Sequence, residues 1–474
     1  MKNYLLPTLS LFLILFVAPL NLLASNGDNV KTARKVIELL DKGQYKEIIS
    51  HFDSTMKKAA PESRLHAIWT SLLGQTGKLQ MELSDTSFDF NGYNIVMVTC
   101  QFARSKLDVK VVFDKDSRIA GLFFAPHVES IGRAGSSESN PSDSLKGAPY
   151  ISKDVTFTNH AANVTLAGTL TIPNSTGLFP AVLLISGSGP NTRNETVAGH
   201  KIFLTIADYL TRHGIVVLRY DKRGVGKSTG NYAAATTLSF ASDALAGVEY
   251  LKTVKQVNSS EIGLIGHSEG AEIAPITADR SRDVAFLVML GGPGVPGYKI
   301  ILSQLALIDR ASGVKKSSVD SALAIESRLL EIVRTEKDSA MAASRLKEIL
   351  VKEEKQPSAA ADAAVAELLS PWYREFLSYD PRPALQKVKC PVLALWGSKD
   401  LQVPPAENMP AVRKALREGG NRDFEVVELK GLNHLFQTAK TGSPLEYGMI
   451  KEGVSPRALR TITDWILKHT HARH

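Results

Sequence analysis

Cysteine is nearly absent from this chain of 474 residues: only Cys100 and Cys390 occur. They fall in different expected domains, each inside or beside an apolar strand pattern, so two buried free thiols are expected rather than a bridge. No cysteine or histidine spacing resembles a zinc site, and neither a metal nor another cofactor is expected. Long apolar runs are lacking after the first two dozen residues, so nothing later reads as a membrane span. A concentrated basic patch is lacking too: 56 lysines and arginines against 48 acids give a net charge of +8. They are scattered without interleaved aromatics, and nucleic acid is not an expected partner. What remains, 44% hydrophobic and 22% charged residues, is the composition of globular domains. The length calls for two or three of them.

The first 24 residues read as an export signal. Lys2 supplies a basic start, Leu11 to Leu23 an apolar stretch, and Ala24 a small residue of the kind signal peptidase accepts. A signal anchor is the alternative, weakened by Pro19 and Asn21 within the stretch. Export to the periplasm or beyond is expected, with no stable membrane insertion after cleavage. No cysteine near Ala24 is placed to carry a lipid.

Residues 28–126 have the pattern of a small α+β domain. Val30, Ala33, Val36, Ile37 and Leu40 follow helical spacing, and Glu62 to Leu73 forms a second helix. After Gly92 the rhythm becomes alternation, with strands around 95–102, 107–113 and 119–124. No constellation of chemical groups occurs here; scaffold, homo-oligomer contact, lid and ligand-binding cone are the roles open to this domain. Residues 127–149, rich in Ser, Gly, Asn, Asp and Pro, read as a linker.

Residues 150–470 alternate strands with helices. An antiparallel opening pair at 155–158 and 164–172 precedes strands at 181–185, 215–220, 262–266, 284–290, 392–396 and 424–429. Helices at 201–213, 239–253, 271–279, 406–417 and 455–468 separate them. This pattern predicts a mostly parallel sheet with helices on both faces. Residues 298–370 interrupt it with helix alone and are expected to form a cap over the carboxyl ends of the strands, where ligands bind in such sheets.

Gly266-His267-Ser268-Glu269-Gly270 joins a buried strand directly to a helix. In that setting Gly-x-Ser-x-Gly is a nucleophile elbow, whose tightness excludes side chains at both glycines and exposes Ser268. A serine hydroxyl needs a base, and the base an orienting carboxylate. Asp400 lies just beyond the strand at 392–396, and Glu407 and Asp380 are weaker candidates, one inside a helix and one well before the strand. His434 follows the strand at 424–429 and is the only histidine between Ser268 and the tail. The oxyanion hole is expected from the backbone N–H groups of Glu269 and Ser188, the latter in the loop Ser186-Gly187-Ser188-Gly189-Pro190.

These segments, with Arg219-Tyr220-Asp221-Lys222-Arg223-Gly224-Val225-Gly226-Lys227-Ser228, Pro371-Trp372-Tyr373, Tyr379-Asp380-Pro381 and Gly397-Ser398-Lys399-Asp400, resemble the α/β-hydrolase superfamily. More closely, the chain is similar to secreted bacterial carboxylesterases of the EstD type, in which a small N-terminal domain precedes a capped hydrolase domain. The resemblance implies a serine carboxylesterase acting on small-molecule esters through Ser268, Asp400 and His434. Two positions depart from the family: Ala271 replaces a frequent glycine, and Thr192 a usual aspartate. A peptidase or aminopeptidase stays open, since Trp372, Tyr373 and the cap would make a narrow pocket and Glu269 could attract an amine; a thioesterase is a weaker alternative. A phosphate-binding loop at 221–228 is disfavoured because Asp221 stands where its first glycine would be.

Overall fold

The computed structural model describes residues 27–90, 93–126, 148–354, 356 and 358–471. The expected signal segment and most of the expected linker lie outside the described residues.

The first helices are α1 (Gly27–Asp41), α2 (Tyr45–Ser50), α3 (Ser54–Ala59) and α4 (Glu62–Thr76), followed by strands β1 (Leu79–Phe90), β2 (Tyr93–Phe102), β3 (Lys106–Phe113) and β4 (Ile119–Pro126). The strands pair antiparallel in sequential order. One face of β2, with Val96, Val98, Cys100 and Phe102, shares a core with Val36, Ile37 and Leu40 of α1 and Trp69 of α4. Cys100 and Cys390 are not bridged to each other; Cys100 is buried as expected, whereas Cys390 is only partly buried, and burial pushes the Cys100 thiol up to about 12. The helices α2 and α3 and the strand β1 were not expected. The two helices are too short to show a period. In β1, Leu79, Met81 and Leu83 alternate with polar residues, but register shifts at Leu79/Met81 and Glu82/Ser84 break the ladder, and Met81 and Leu83 are 57% and 44% exposed, so the short apolar stripe does not mark a core face.

Next come β5 (Tyr150–Asn159), β6 (Val164–Pro173), β7 (Phe179–Ile185) and a two-residue hairpin, β8 (Thr196–Val197) with β9 (His200–Lys201). Then follow α5 (Ile202–Arg212), β10 (Val216–Tyr220), α6 (Thr237–Lys252), β11 (Val257–His267), α7 (Glu269–Arg280) and β12 (Val284–Leu290). The helical insert comprises α8 (Gly297–Ala311), α9 (Lys316–Thr335), α10 (Ser339–Lys352) and α11 (Ser358–Leu368). The chain continues with α12 (Pro371–Ser378), α13 (Arg382–Lys387), β13 (Val392–Gly397), α14 (Pro405–Glu418), β14 (Phe424–Leu429), a 3-10 turn (Pro444–Met449) and α15 (Pro456–His471). No helix among the described residues is long and apolar enough to cross a membrane.

Eight strands form one sheet in the order β14-β13-β12-β11-β7-β10-β6-β5. It is parallel from β14 to β10, and antiparallel where β6 joins β10 and β5. The expected mostly parallel sheet, its antiparallel opening pair and its helices on both faces are all present. Alternation along β7 sets the two faces. Val182 and Leu184 pack with Phe203 and Leu210 of α5 and Ile462 and Trp465 of α15. Leu183 points the other way, toward Gly247 of α6, where an added Cβ would come within 2.9 Å of it.

The chain divides into two compact units that cross the sequence. Residues 148–330 and 370–471 make one. The described residues up to Pro126 make the other together with Glu331–Leu369, in which α11 packs against β4 and α10. The insert expected as a single cap at 298–370 is therefore split, its second half grouping with the N-terminal domain.

Candidate active site

At the end of β11 the chain turns into α7 through Ser268, which has φ +54° and ψ −121°. A residue with a Cβ enters that region only at a cost of order 1–3 kcal/mol, so the surroundings must enforce it. Close packing does so. A Cβ on Gly266 would lie 2.0 Å from the Gly270 carbonyl oxygen, and one on Gly270 would lie 1.9 Å from that of Ile185. Ser268 N–H donates to the Leu290 carbonyl at 2.8 Å, tying the turn to the end of β12. The side chain is left half-buried at the start of a helix, whose N-terminal field favours negative charge.

His434 and Asp400 meet where β14 and β13 end. Asp400 Oδ2 lies 2.7 Å from His434 Nδ1, while Oδ1 accepts the backbone N–H groups of Gln402 and Val403 at 2.9 and 2.8 Å. Both side chains are buried. Gly291, one residue past the Leu290 that holds Ser268, has φ +58°, and a Cβ there would be 3.1 Å from both Asp400 and His434. The structure thus brings the three expected residues to neighbouring strand ends. Ser268 Oγ and His434 are not hydrogen-bonded to each other; such bonds commonly close only around substrate. The weaker acid candidates are engaged elsewhere: Glu407 accepts from Ser303 at 2.8 Å, and Asp380 pairs with Arg382.

Around the expected oxyanion donors lies a buried polar network that residue spacing alone did not reveal. Glu269, directly after the nucleophile, receives Lys222 Nζ at 3.1 Å, Thr237 Oγ1 at 2.8 Å and Trp372 Nε1 at 2.7 Å. Lys222 also donates to the Gly187 carbonyl at 2.7 Å and lies 4.3 Å from the centre of the Phe240 ring. Gly187 N–H donates to Glu195 Oε1 at 2.6 Å, and Asn191 Nδ2 reaches the Gly187 carbonyl at 2.9 Å. The loop is clamped from both sides, and exposed Ser188 follows immediately. A Cβ on Gly187 would lie 3.0 Å from the Cβ of Ser268, so the loop crosses directly over the nucleophile. One signal was available in the sequence: Lys222 and Glu269 are charges flanked by buried strands, and such charges need partners.

The stretch 221–228 is a structural turn. Asp221 accepts from Arg193 N, Nε and Nη2 at 2.8, 3.0 and 2.7 Å. A Cβ on Gly226 would come within 2.6 Å of Asp221 Oδ2, so the carboxylate packs against the turn.

Comparison with known proteins gives matches in both regions. A model of the family described as serine aminopeptidase, S33, matches residues 199–438. A family described as a protein of unknown function, DUF3887, matches residues 33–122. Esterase EstD of Thermotoga maritima is 26% identical over 433 residues, covering 91% of this chain and 94% of that protein. Among solved structures, the alpha/beta hydrolase GrgF from Penicillium sp. sh18 is 19% identical with a TM-score of 0.44, covering 68% of this chain and 99% of its own. An esterase of Pyrococcus furiosus is 18% identical with a TM-score of 0.42, covering 68% and 92%.

Proposed function

We infer that this chain, which belongs to the serine aminopeptidase, S33, family of α/β-hydrolases, hydrolyses carboxylic esters through an acyl-enzyme. The observation that carries the reading is Ser268 at φ +54° in a strand-to-helix turn beside the bonded His434–Asp400 pair. The similarity to an esterase across nearly the whole chain supports it. Ser268 Oγ attacks the ester carbonyl while His434 Nε2 takes its proton, and Asp400 holds the Nδ1–H side of the ring. The N–H groups of Glu269 and Ser188 stabilise the oxyanion. Collapse breaks the bond to the alcohol, which leaves with the proton from His434, and water then attacks the acyl-enzyme by the same route.

Aminopeptidase activity is the second reading, favoured by the description of the family. One support for it is removed by the network: Glu269 is already occupied by Lys222, Thr237 and Trp372 and is not open to a substrate amine. We place the substrates among short acyl esters, because the charged insert, with Lys315, Lys316, Arg334 and Lys337 exposed, is unsuited to a lipid surface. The composition of residues 1–24 supports export to the periplasm or beyond. Edge strand β1, with outward Met81 and Leu83, supports a homo-oligomer contact in the N-terminal unit.

The test is a parallel assay on nitrophenyl esters and aminoacyl anilides. Wild type is expected to turn over esters faster, with a maximum at short chains. Ser268→Ala is expected to lose about 10³-fold or more in kcat while keeping its circular dichroism spectrum. A variant that keeps most of its activity would refute the assignment, and anilides as the better substrates would move it to the peptidase.

A further inference from the structure

Behind the nucleophile, the ring of His267 is 3% exposed and has an oxygen against each nitrogen. Nδ1 lies 3.0 Å from Glu195 Oε1, and Nε2 lies 3.0 Å from the His434 carbonyl oxygen. A neutral imidazole carries one N–H and one lone pair. With an ionised Glu195, either tautomer would therefore aim a lone pair at an oxygen lone pair, inside a buried site where such a mismatch is costly. Moving the proton to Glu195 Oε1 does not fit the neighbouring bond. That same oxygen accepts Gly187 N–H at 2.6 Å, a length that belongs to a charged acceptor rather than to a carboxylic acid hydroxyl. Glu195 itself sits at φ +45°, a strained position for a residue with a side chain.

We propose that His267 is a buried imidazolium held by Glu195, and that this ion pair is a positioning device for catalysis. It rests on the reading of Ser268 and His434 as nucleophile and base. Three pieces of the site meet on the pair. His267 precedes the nucleophile at the end of β11, Glu195 holds the loop that carries Ser188, and the His434 carbonyl belongs to the loop that carries the base. The two rings lie 4.8 Å apart. The pair touches no reacting atom; it fixes the distances among groups that do, and small displacements of such groups are costly.

The charged and titratable groups facing His267 are Glu195 from the loop after β7, Asp400 from the loop after β13 and His434 from the loop after β14. Burial alone would drive the proton off. The charge and hydrogen bond of Glu195, the His434 carbonyl and the charge of Asp400 outweigh it and hold the ring above its usual range. A raised imidazole loses its proton at the alkaline end. The device is therefore released only as pH rises through the raised value.

Nitrogen NMR of full-length Ser268→Ala labelled with 15N-histidine reads the protonation state directly. The expected result is a histidine with both ring nitrogens protonated at about pH 8, well above the ordinary range, which disappears in a His267→Gln background. In Glu195→Gln, whose amide oxygen still accepts Gly187 N–H, that signal should become neutral imidazole at the same pH. Kinetically, Glu195→Gln should lose about tenfold or more in kcat on a soluble ester with KM nearly unchanged, and its alkaline limb should move to lower pH. A neutral His267 at about pH 7 in the otherwise native protein would overturn the proposal. So would a wild-type pH profile in Glu195→Gln. The spectrum requires no activity, so it separates this idea from the triad: hydrolysis surviving in Ser268→Ala would sink the triad and leave the NMR result standing.

Discussion

Glu269 and Glu272 lie one turn apart at the start of α7 and are both buried, but their environments differ. Glu269 has three donors, whereas Glu272 Oε2 has no hydrogen-bond partner. Burial pushes the Glu272 carboxyl well above the ordinary range, and the charges of Glu269, Glu375 and Asp380 push it further. A raised acid is a group the folded state prefers protonated. Its contribution is present below the unfolded value, about 4.3, and is lost as pH rises through the folded one. Glu272→Gln removes this loss, so it should raise the melting temperature at about pH 8 and leave it nearly unchanged at about pH 4. A variant less stable than wild type at both pH values would show that Glu272 has a partner worth more than its desolvation cost. At this scale the three proposed triad residues could be picked out because Ser, Asp and His follow in a fixed order at strand ends. Glu195, Lys222 and Thr237 were not, because their partners lie 8, 47 and 32 residues away on unrelated elements.

Turns and strands carry their own constraints, and Ala271 shows one. The side chain here is accommodated across the turn after β12: a Cβ on Gly292 would stand 2.7 Å from the Cβ of Ala271. The methyl group omitted at Gly292 leaves the room that Ala271 uses. Gly292→Ala should destabilise by about 1–3 kcal/mol through overpacking. Ala271→Gly alone should cost about 1 kcal/mol of helix propensity. The double variant should cost less than the sum, with a coupling of about 0.5–3 kcal/mol. Strict additivity in denaturant midpoints would mean that the two methyl groups do not compete. Element by element, the hydrolase sheet was legible because its inner strands β7, β12 and β13 are apolar on both faces and the strands are punctuated by helices. The edge strand β1 and the six-residue helices α2, α3 and α13 were not. A bulged edge strand whose apolar Met81 and Leu83 face outward gives a misleading period, and a helix under two turns leaves none to detect.

The division into units is where sequence order and structure part, and it changes what a truncation does. Every proposed catalytic group, Ser188, Ser268, Glu269, Asp400 and His434, lies in residues 148–330 and 370–471, so the N-terminal domain looks dispensable. Yet α11 packs on β4, with Ala361, Val365 and Leu368 buried. Within the same unit Lys110 of β3 and Glu367 of α11 are coupled by charge; burial pushes Glu367 up to about 7 while Lys110 draws it back. An insert that looks like one helical cap in sequence is read by the fold as two pieces with different partners, because helical periodicity shows that a face is buried but not against what. Deleting residues 25–140 alone should therefore strip a cover from α11, giving a protein that binds hydrophobic dyes and aggregates. Deleting residues 331–369 as well, and bridging the gap with a flexible linker of about ten residues, should restore a soluble unit that turns over a small ester. Light scattering, circular dichroism and the nitrophenyl assay decide it. If the single truncation is as soluble and stable as the double one, the second half of the insert does not depend on the N-terminal sheet. If the double truncation folds but is inactive, the removed unit completes the site.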